Sequence, residues 1–186
     1  MTPAEVISFW YADETRKRWF KSTPEFDELL KDKFEILLQA AIAGELDAWR
    51  DTADGCLALC ILLDQVPRNI YRGKAEAFAT DQQALEVCKH SIDTNLYQQL
   101  NADHSRFLFM PLMHSEDLQD QQLSIAMFAE AGLQEQSEYA HHHASIIEKY
   151  GRFPHRNAVL GRESSSAELE YLESDGAFSG NQKTDD

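Results

Sequence analysis

Five of the chain's nine arginines fall in two short segments that are built alike. The first is Asp64-Gln65-Val66-Pro67-Arg68-Asn69-Ile70-Tyr71-Arg72-Gly73. The second is Gly151-Arg152-Phe153-Pro154-His155-Arg156-Asn157, running on to Leu160-Gly161-Arg162. Each places a proline ahead of an Arg-Asn pair and a further arginine beside a glycine. A guanidinium is a planar fork of donors that grips a carboxylate or phosphate through two bonds. Asparagine adds a neutral donor and acceptor, glycine admits close backbone approach, and proline stiffens a loop and so lowers the ordering cost of binding. Arg68, Asn69, Arg72, Arg152, His155, Arg156, Asn157 and Arg162 are therefore the candidate anion-binding residues. The competing use of the same side chains is structural: they hold helix C-termini and internal carboxylates in place, and the chain has 32 carboxylates to offer.

A second group could move protons. The apolar run Phe107-Leu108-Phe109-Met110-Pro111-Leu112-Met113 passes directly into His114-Ser115-Glu116-Asp117, a switch that marks a chain leaving the core at a pocket rim. Histidine titrates near neutrality and a neighbouring carboxylate tunes it, so His114 and Glu116 are candidate acid–base groups. The structural alternative has Ser115 or Asp117 capping the next helix while His114 packs at the end of the previous one. His143 lies on an apolar helix face, unlike the exposed His141 and His142. It joins the candidate catalytic set, with a satisfied core histidine as the alternative. His114, His143 and His155 with Glu116 would bind a metal only if brought together. No HExxH or close ligand spacing supports that, so no metal site is expected, and no cofactor. Neither a Gly-rich phosphate loop nor a GxSxG elbow is present.

The elements that must carry these groups read as helices throughout. Thr2-Pro3-Ala4-Glu5 combines a capping box with proline at the first helical position, ahead of Trp10 and Trp19-Phe20 as large apolar anchors. Thr23-Pro24-Glu25 opens the next helix. Phe26, Leu29, Leu30, Phe34, Leu37, Leu38 and Ala41 follow at helical spacing, and Gly44 is a natural stop. A third helix runs from about Ala53 to Asp64, burying Leu57, Cys60, Ile61 and Leu63, and Pro67 ends it. Thr80-Asp81-Gln82-Gln83 reads as another capping box. The run Arg106 to Met113 is read as helix because no other segment could pair with a lone strand. Ser115 to Ala131 is helical up to Gly132. Tyr139, His143, Ile146, Ile147 and Tyr150 share a face that Gly151 closes. Ser165-Ser166-Ala167-Glu168 caps a last short helix through Leu172. With no alternating strand pattern and no hairpin signal, the expected fold is all-α: a compact array or bundle of about eight or nine helices without a sheet. One domain over residues 1–173 is expected, with residues 174–186 a flexible polar tail.

Charge narrows the partners. The net charge is −15 and the pI near 4.8. Such a chain repels phosphate backbones and anionic headgroups over long range, which excludes nucleic acid and membrane surfaces, while a local basic patch can still bind a small anion. Apolar residues at 43% and charged residues at 26% fit a globular chain. Three cysteines, Cys56, Cys60 and Cys88, with no CxxC pair, argue against a disulfide framework and read as buried small apolar residues. No apolar stretch reaches the roughly 20 residues of a membrane span and no leader pattern is present, so the cytoplasm is the expected compartment.

Three phrases carry a resemblance: Leu62-Leu63 with Asp64 through Gly73, Pro111-Leu112-Met113-His114-Ser115-Glu116, and Gly151 through Asn157 with Leu160-Gly161-Arg162. They closely resemble a bacterial family of unknown function, the domain-of-unknown-function family 924, and the likeness runs from Phe9-Trp10 to about Leu172. Val66 departs from the larger apolar residue expected there, and Tyr150 stands in place of Phe. The resemblance implies a helical fold similar to tetratricopeptide-like arrays, and it implies no reaction. The expected function is a pocket lined by Arg, His, Asn and Glu that binds a small anionic metabolite, a carboxylate or a phosphate, with hydrolytic or transfer chemistry. The rival is a non-enzymatic, tetratricopeptide-like scaffold that binds a peptide or protein partner. An enclosed cleft with histidine and carboxylate in reach of each other favours the first. An open groove with exposed apolar side chains favours the second. If the pocket exists, the two arginine segments meet in space.

Overall fold

Short-range hydrogen bonds decide where the helices start. A computed structural model of the chain describes residues 1–174, and the expected polar tail lies, apart from Ser174, outside the described residues. Helix α1 (Pro3–Trp10) opens with the expected capping box, in which Thr2 accepts from the Glu5 N–H and the Glu5 carboxylate accepts from the Thr2 N–H. A single turn, α2 (Asp13–Arg16), follows. Thr23 caps α3 (Pro24–Ile42) by accepting from Phe26, and the helix stops at Gly44, which sits at φ +78°. Thr52 caps α4 (Ala53–Cys60) and Asn101 caps α7 (Ala102–Met113). Asp117 caps α8 (Leu118–Glu130), and Ser165 with Glu168 forms a full capping box on α10 (Ser166–Leu172).

Two expectations fail together, for one reason. Pro67 does not end a helix. Instead α4 continues through a π-turn (Ile61–Gln65) into α5 (Val66–Ile70) as one right-handed rod. The wider turn, in which the Val66 N–H bonds the Ile61 carbonyl, seats Pro67 in the first turn of α5, where its missing N–H costs little. A regular α-helix would pair the Leu63 carbonyl with residue 67, which has no N–H. That carbonyl accepts from the buried Thr80 hydroxyl instead. Thr80 is therefore not free to cap α6 (Asp81–Asp93), and the expected capping box there does not form. The first arginine segment is mostly rigid helix rather than loop.

Counting the α4–α5 rod once, and with α9 (Gln134–Tyr150), the described residues form nine helices and no strand, the all-α class expected. The Arg106-to-Met113 run is helical, and every side chain from Phe107 to Met113 is buried. Short connections join α7, α8 and α9, and each packs on the next. α4 packs against α1, α6 and α7. The main core gathers Trp10, Phe34, Phe107, Phe109 and Phe128 around the rod, and a small satellite of Ile146, Ile147 and Phe153 anchors the C-terminal segment. The apolar stripe of α3 is narrower than expected: Phe26, Leu30, Phe34 and Leu38 are buried, whereas Leu29 is exposed. Phe20 is also out of the core, at 56% exposure, although Trp10 and Trp19 are buried. All three cysteines are buried and free. No helix of the described residues is long and apolar enough to cross a membrane.

Candidate functional site

The two arginine segments meet on one carboxylate. Asp81, at the start of α6, pairs with Arg68 at 2.8 Å and with Arg156 at 3.2 Å. Arg68 also pairs with Asp64, one turn back in the π-turn, at 3.0 Å. Asp64 is fully buried and bonds the Nδ1 of His114 at 2.7 Å. Arg156 closes the circuit by donating to the His114 carbonyl at 3.0 Å. The network ties the α4–α5 rod, α6, the end of α7 and the 154–156 turn together.

Beside the network lies a cavity of about 330 Å³. One face of α7 lines it with Arg106, Met110 and Met113, and His114 adjoins them. The rod contributes Gln65 and Arg68, with Arg72 just beyond its end. From α9 come Glu135, Gln136, Tyr139 and His143. His155 and Arg156 approach from the second segment, and Phe20 and Phe78 add aromatic wall.

Burial alone would push the Asp64 carboxyl up, but Arg68 and His114 outweigh it and hold the carboxyl at about 2. An ionised carboxylate only accepts. The proton of His114 is therefore on Nδ1, and Nε2 is left as the basic atom. Burial and the nearby Arg68 push the His114 pKa below its ordinary value, against the pull of Asp64, so the ring is neutral at pH 7. Burial brings His143 down to about 3; its Nδ1–H donates to the Tyr139 carbonyl at 2.8 Å, which only partly opposes the shift. Burial, then Arg156 and the other two histidines, bring His155 to about 3. Burial lowers the Arg156 guanidinium to about 10, with Asp81 opposing, and it stays charged. It lies 4.7 Å from the ring centres of both Phe78 and Phe153.

The sequence-derived residues divide between the cavity and the scaffold. Arg68, Arg72, His114, His143, His155 and Arg156 line the cavity. Asn69, Glu116, Arg152, Asn157 and Arg162 do not, and each has a structural task. Glu116 is gripped by Arg162 at 2.7 and 3.0 Å and accepts the Phe153 N–H at 2.8 Å. It is not the carboxylate that bonds His114. Arg152 clamps the buried Glu168 at 2.7 and 2.9 Å, and Asn157 donates to the same carboxylate and to Ser164. Asn69 donates to the Gln65 carbonyl and accepts from Arg72, which also holds Asp27 of α3 at 3.0 and 3.2 Å. Buried carboxylates in an acidic chain need such partners, because an unpaired buried charge is costly. Among the described residues no group of three or more His, Cys, Asp or Glu is placed to share a metal ion.

Three residues of the site escape a reading of the motifs. Asp64 orients His114 and Asp81 joins the two segments. Arg106 is the third: of the four arginines lining the cavity, it alone has no carboxylate partner among the described residues, and its buried Nε has no hydrogen-bond partner there. The signal for it was the helical spacing Arg106, Met110, Met113, His114.

Fold and site together define an all-α protein enclosing an arginine- and histidine-lined cavity, with one histidine oriented by a buried aspartate. Residues 6–176 match the family described as bacterial protein of unknown function (DUF924), and the chain belongs to that family. A solved structure of a protein of unknown function from Agrobacterium tumefaciens is similar to it, with a TM-score of 0.87 and 36% sequence identity, covering 92% of this chain and 96% of that one. No curated protein matches the chain.

Proposed function

We propose that the cavity binds a small organic anion and that His114, oriented by Asp64, is the acid–base group of a hydrolytic or transfer reaction on it. The observation that carries this reading is the make-up of the wall. In a chain of net charge −15, four guanidinium groups and three neutral imidazoles of the described residues line the cavity, and the only carboxylate among the described lining residues is the exposed Glu135. A hydrogen bond to a charged group is worth about 1.5–3 kcal/mol, and partial enclosure strengthens it by lowering the local dielectric. A cavity of about 330 Å³ suits a small molecule better than an extended peptide, which favours this reading over the scaffold.

The chemistry follows from the wiring. His114 Nε2 takes a proton from water or a substrate hydroxyl. Asp64 then stabilises the imidazolium, as an orienting carboxylate does in hydrolytic triads. Arg156, bonded to the His114 carbonyl, lies close enough to that region to favour negative charge developing on the substrate. The test is thermal shift and calorimetry on the wild-type protein with small carboxylates and phosphate monoesters at constant ionic strength. A ligand at a hundred times its Kd adds about 2.7 kcal/mol of stability. At least one class is expected to raise the melting temperature, and silence from both classes would sink the proposal.

A further inference from the structure

We infer that Arg106 and His114 mark the two ends of the ligand: the cavity takes a monocarboxylic acid with an apolar body, its carboxylate at Arg106 and its reacting group at His114. This rests on the anion-binding reading above and adds to it a polarity, a length and a residue.

The spacing along α7 supplies the geometry. Arg106, Met110, Met113 and His114 lie on one helical face and all line the cavity. At 1.5 Å of rise per residue, Arg106 and His114 are separated by about 12 Å along the helix axis. Between them stand two thioether side chains, which are polarizable and adapt to apolar ligands of varied shape. Phe78 and Tyr139 add aromatic surface to the same cavity. The α7 side of the wall is thus polar at its two ends and apolar in its middle.

Charge pairing decides which end holds the carboxylate. Near His114, Arg68 and Arg156 already share Asp64 and Asp81. A carboxylate entering there would compete with those two acids and approach the Asp64 charge. Arg106 has no such partner. The nearest acid on its own helix, Asp103, is taken by Arg16 at 2.6 Å. A carboxylate at Arg106 therefore meets a charge that no acid among the described residues pairs and that only the Trp19 ring faces, its centre 5.9 Å from the guanidinium. One guanidinium without an acid balances one negative charge, which favours a carboxylate over a dianionic phosphate.

Calorimetry of the wild-type protein with linear carboxylic acids of increasing length, each beside its primary amide, tests this. Acids should bind about tenfold or more tightly than their amides. Affinity should rise up to about fourfold per added methylene until the chain reaches His114, and then fall. Arg106→Met keeps the apolar stem and removes the charge. It should erase the preference for acid over amide while leaving the dependence on chain length, and Arg106→Lys should restore part of the preference. Melting curves of the unliganded variants check that each folds. If Arg106→Met still prefers acids, or if only small phosphates bind the wild type, this inference falls and the anion-binding reading survives. If neither acids nor phosphates bind the wild type, both fall.

Discussion

A histidine whose Nδ1–H is committed to a buried, ionised carboxylate can use its other nitrogen only as an acceptor until it is protonated, and that makes His114 testable apart from the fold. His114→Ala would strip Asp64 of a partner and cost about 1–3 kcal/mol, so the residue is not the freely removable rim group that its place after an apolar run implies. His114→Asn keeps an amide N–H for Asp64 and lacks a basic atom. Its stability by urea unfolding should stay within about 1 kcal/mol of wild type while acid–base turnover is lost. His143→Ala, which empties a buried site beside Phe153, should cost about 2–4 kcal/mol; equal stability of His114→Asn and His143→Ala would contradict these assignments. The histidines also predict a pH dependence. His143 and His155 stand at about 3 in the fold, against about 6.5 in the unfolded chain. Below pH ~6.5 the unfolded chain binds protons that the fold does not, so stability falls as pH drops from there toward 3, by up to about 1.4 kcal/mol per pH unit for each histidine. Asp64, held at about 2, loses its contribution only below about pH 4. Urea unfolding at pH 7.5, 6 and 5 should show the decline, shallower by one proton in His143→Gln. A flat wild-type profile over that range would mean the rings are already protonated in the fold.

Elements carry the next level of constraint, and the α4–α5 rod shows how one hydroxyl can hold a helix past a proline. Thr80→Val keeps the shape and removes the donor to the Leu63 carbonyl. It should cost about 1–3 kcal/mol in thermal or urea unfolding, with Thr80→Ser close to wild type; a neutral Thr80→Val would mean the carbonyl finds another donor. The rod also marks the boundary of what is legible in the sequence. Caps at Thr2, Thr23 and Ser165 can be read because their bonds span three residues. The continuation past Pro67 cannot, since it depends on a partner 17 residues further along the chain. The same divide runs through the site. That five clustered arginines need acids is plain from composition. Which of 32 carboxylates each one takes depends on how helices cross, and so Glu116 and Arg162 read as site residues although they lock the C-terminal segment to the end of α7. Arg106 was missed as a site residue, because it stands at the edge of an apolar run, where charge pairing rather than periodicity gives it meaning.

For the whole molecule, the net charge of −15 and the cationic cavity pull an anionic ligand in opposite directions at different ranges. At about 0.01 M ionic strength the Debye length is roughly 30 Å, so an approaching anion feels the acidic surface as a whole and is repelled. At about 0.15 M it is roughly 8 Å, and only the groups lining the entrance and the cavity act at distance. Enclosure protects the local pairing from salt more than the surface field, because partly buried charges are screened less. Association of a carboxylate that binds the cavity should therefore accelerate as ionic strength rises from about 0.01 to 0.15 M, the reverse of ordinary electrostatic steering, while its dissociation rate changes little. Stopped-flow measurements with a bound acid, compared with its neutral amide as a salt-insensitive control, give the readout. An association rate that falls steadily with salt would place the entrance in a locally positive field that outweighs the rest of the surface, and would move the selectivity for anions from the cavity floor to its mouth.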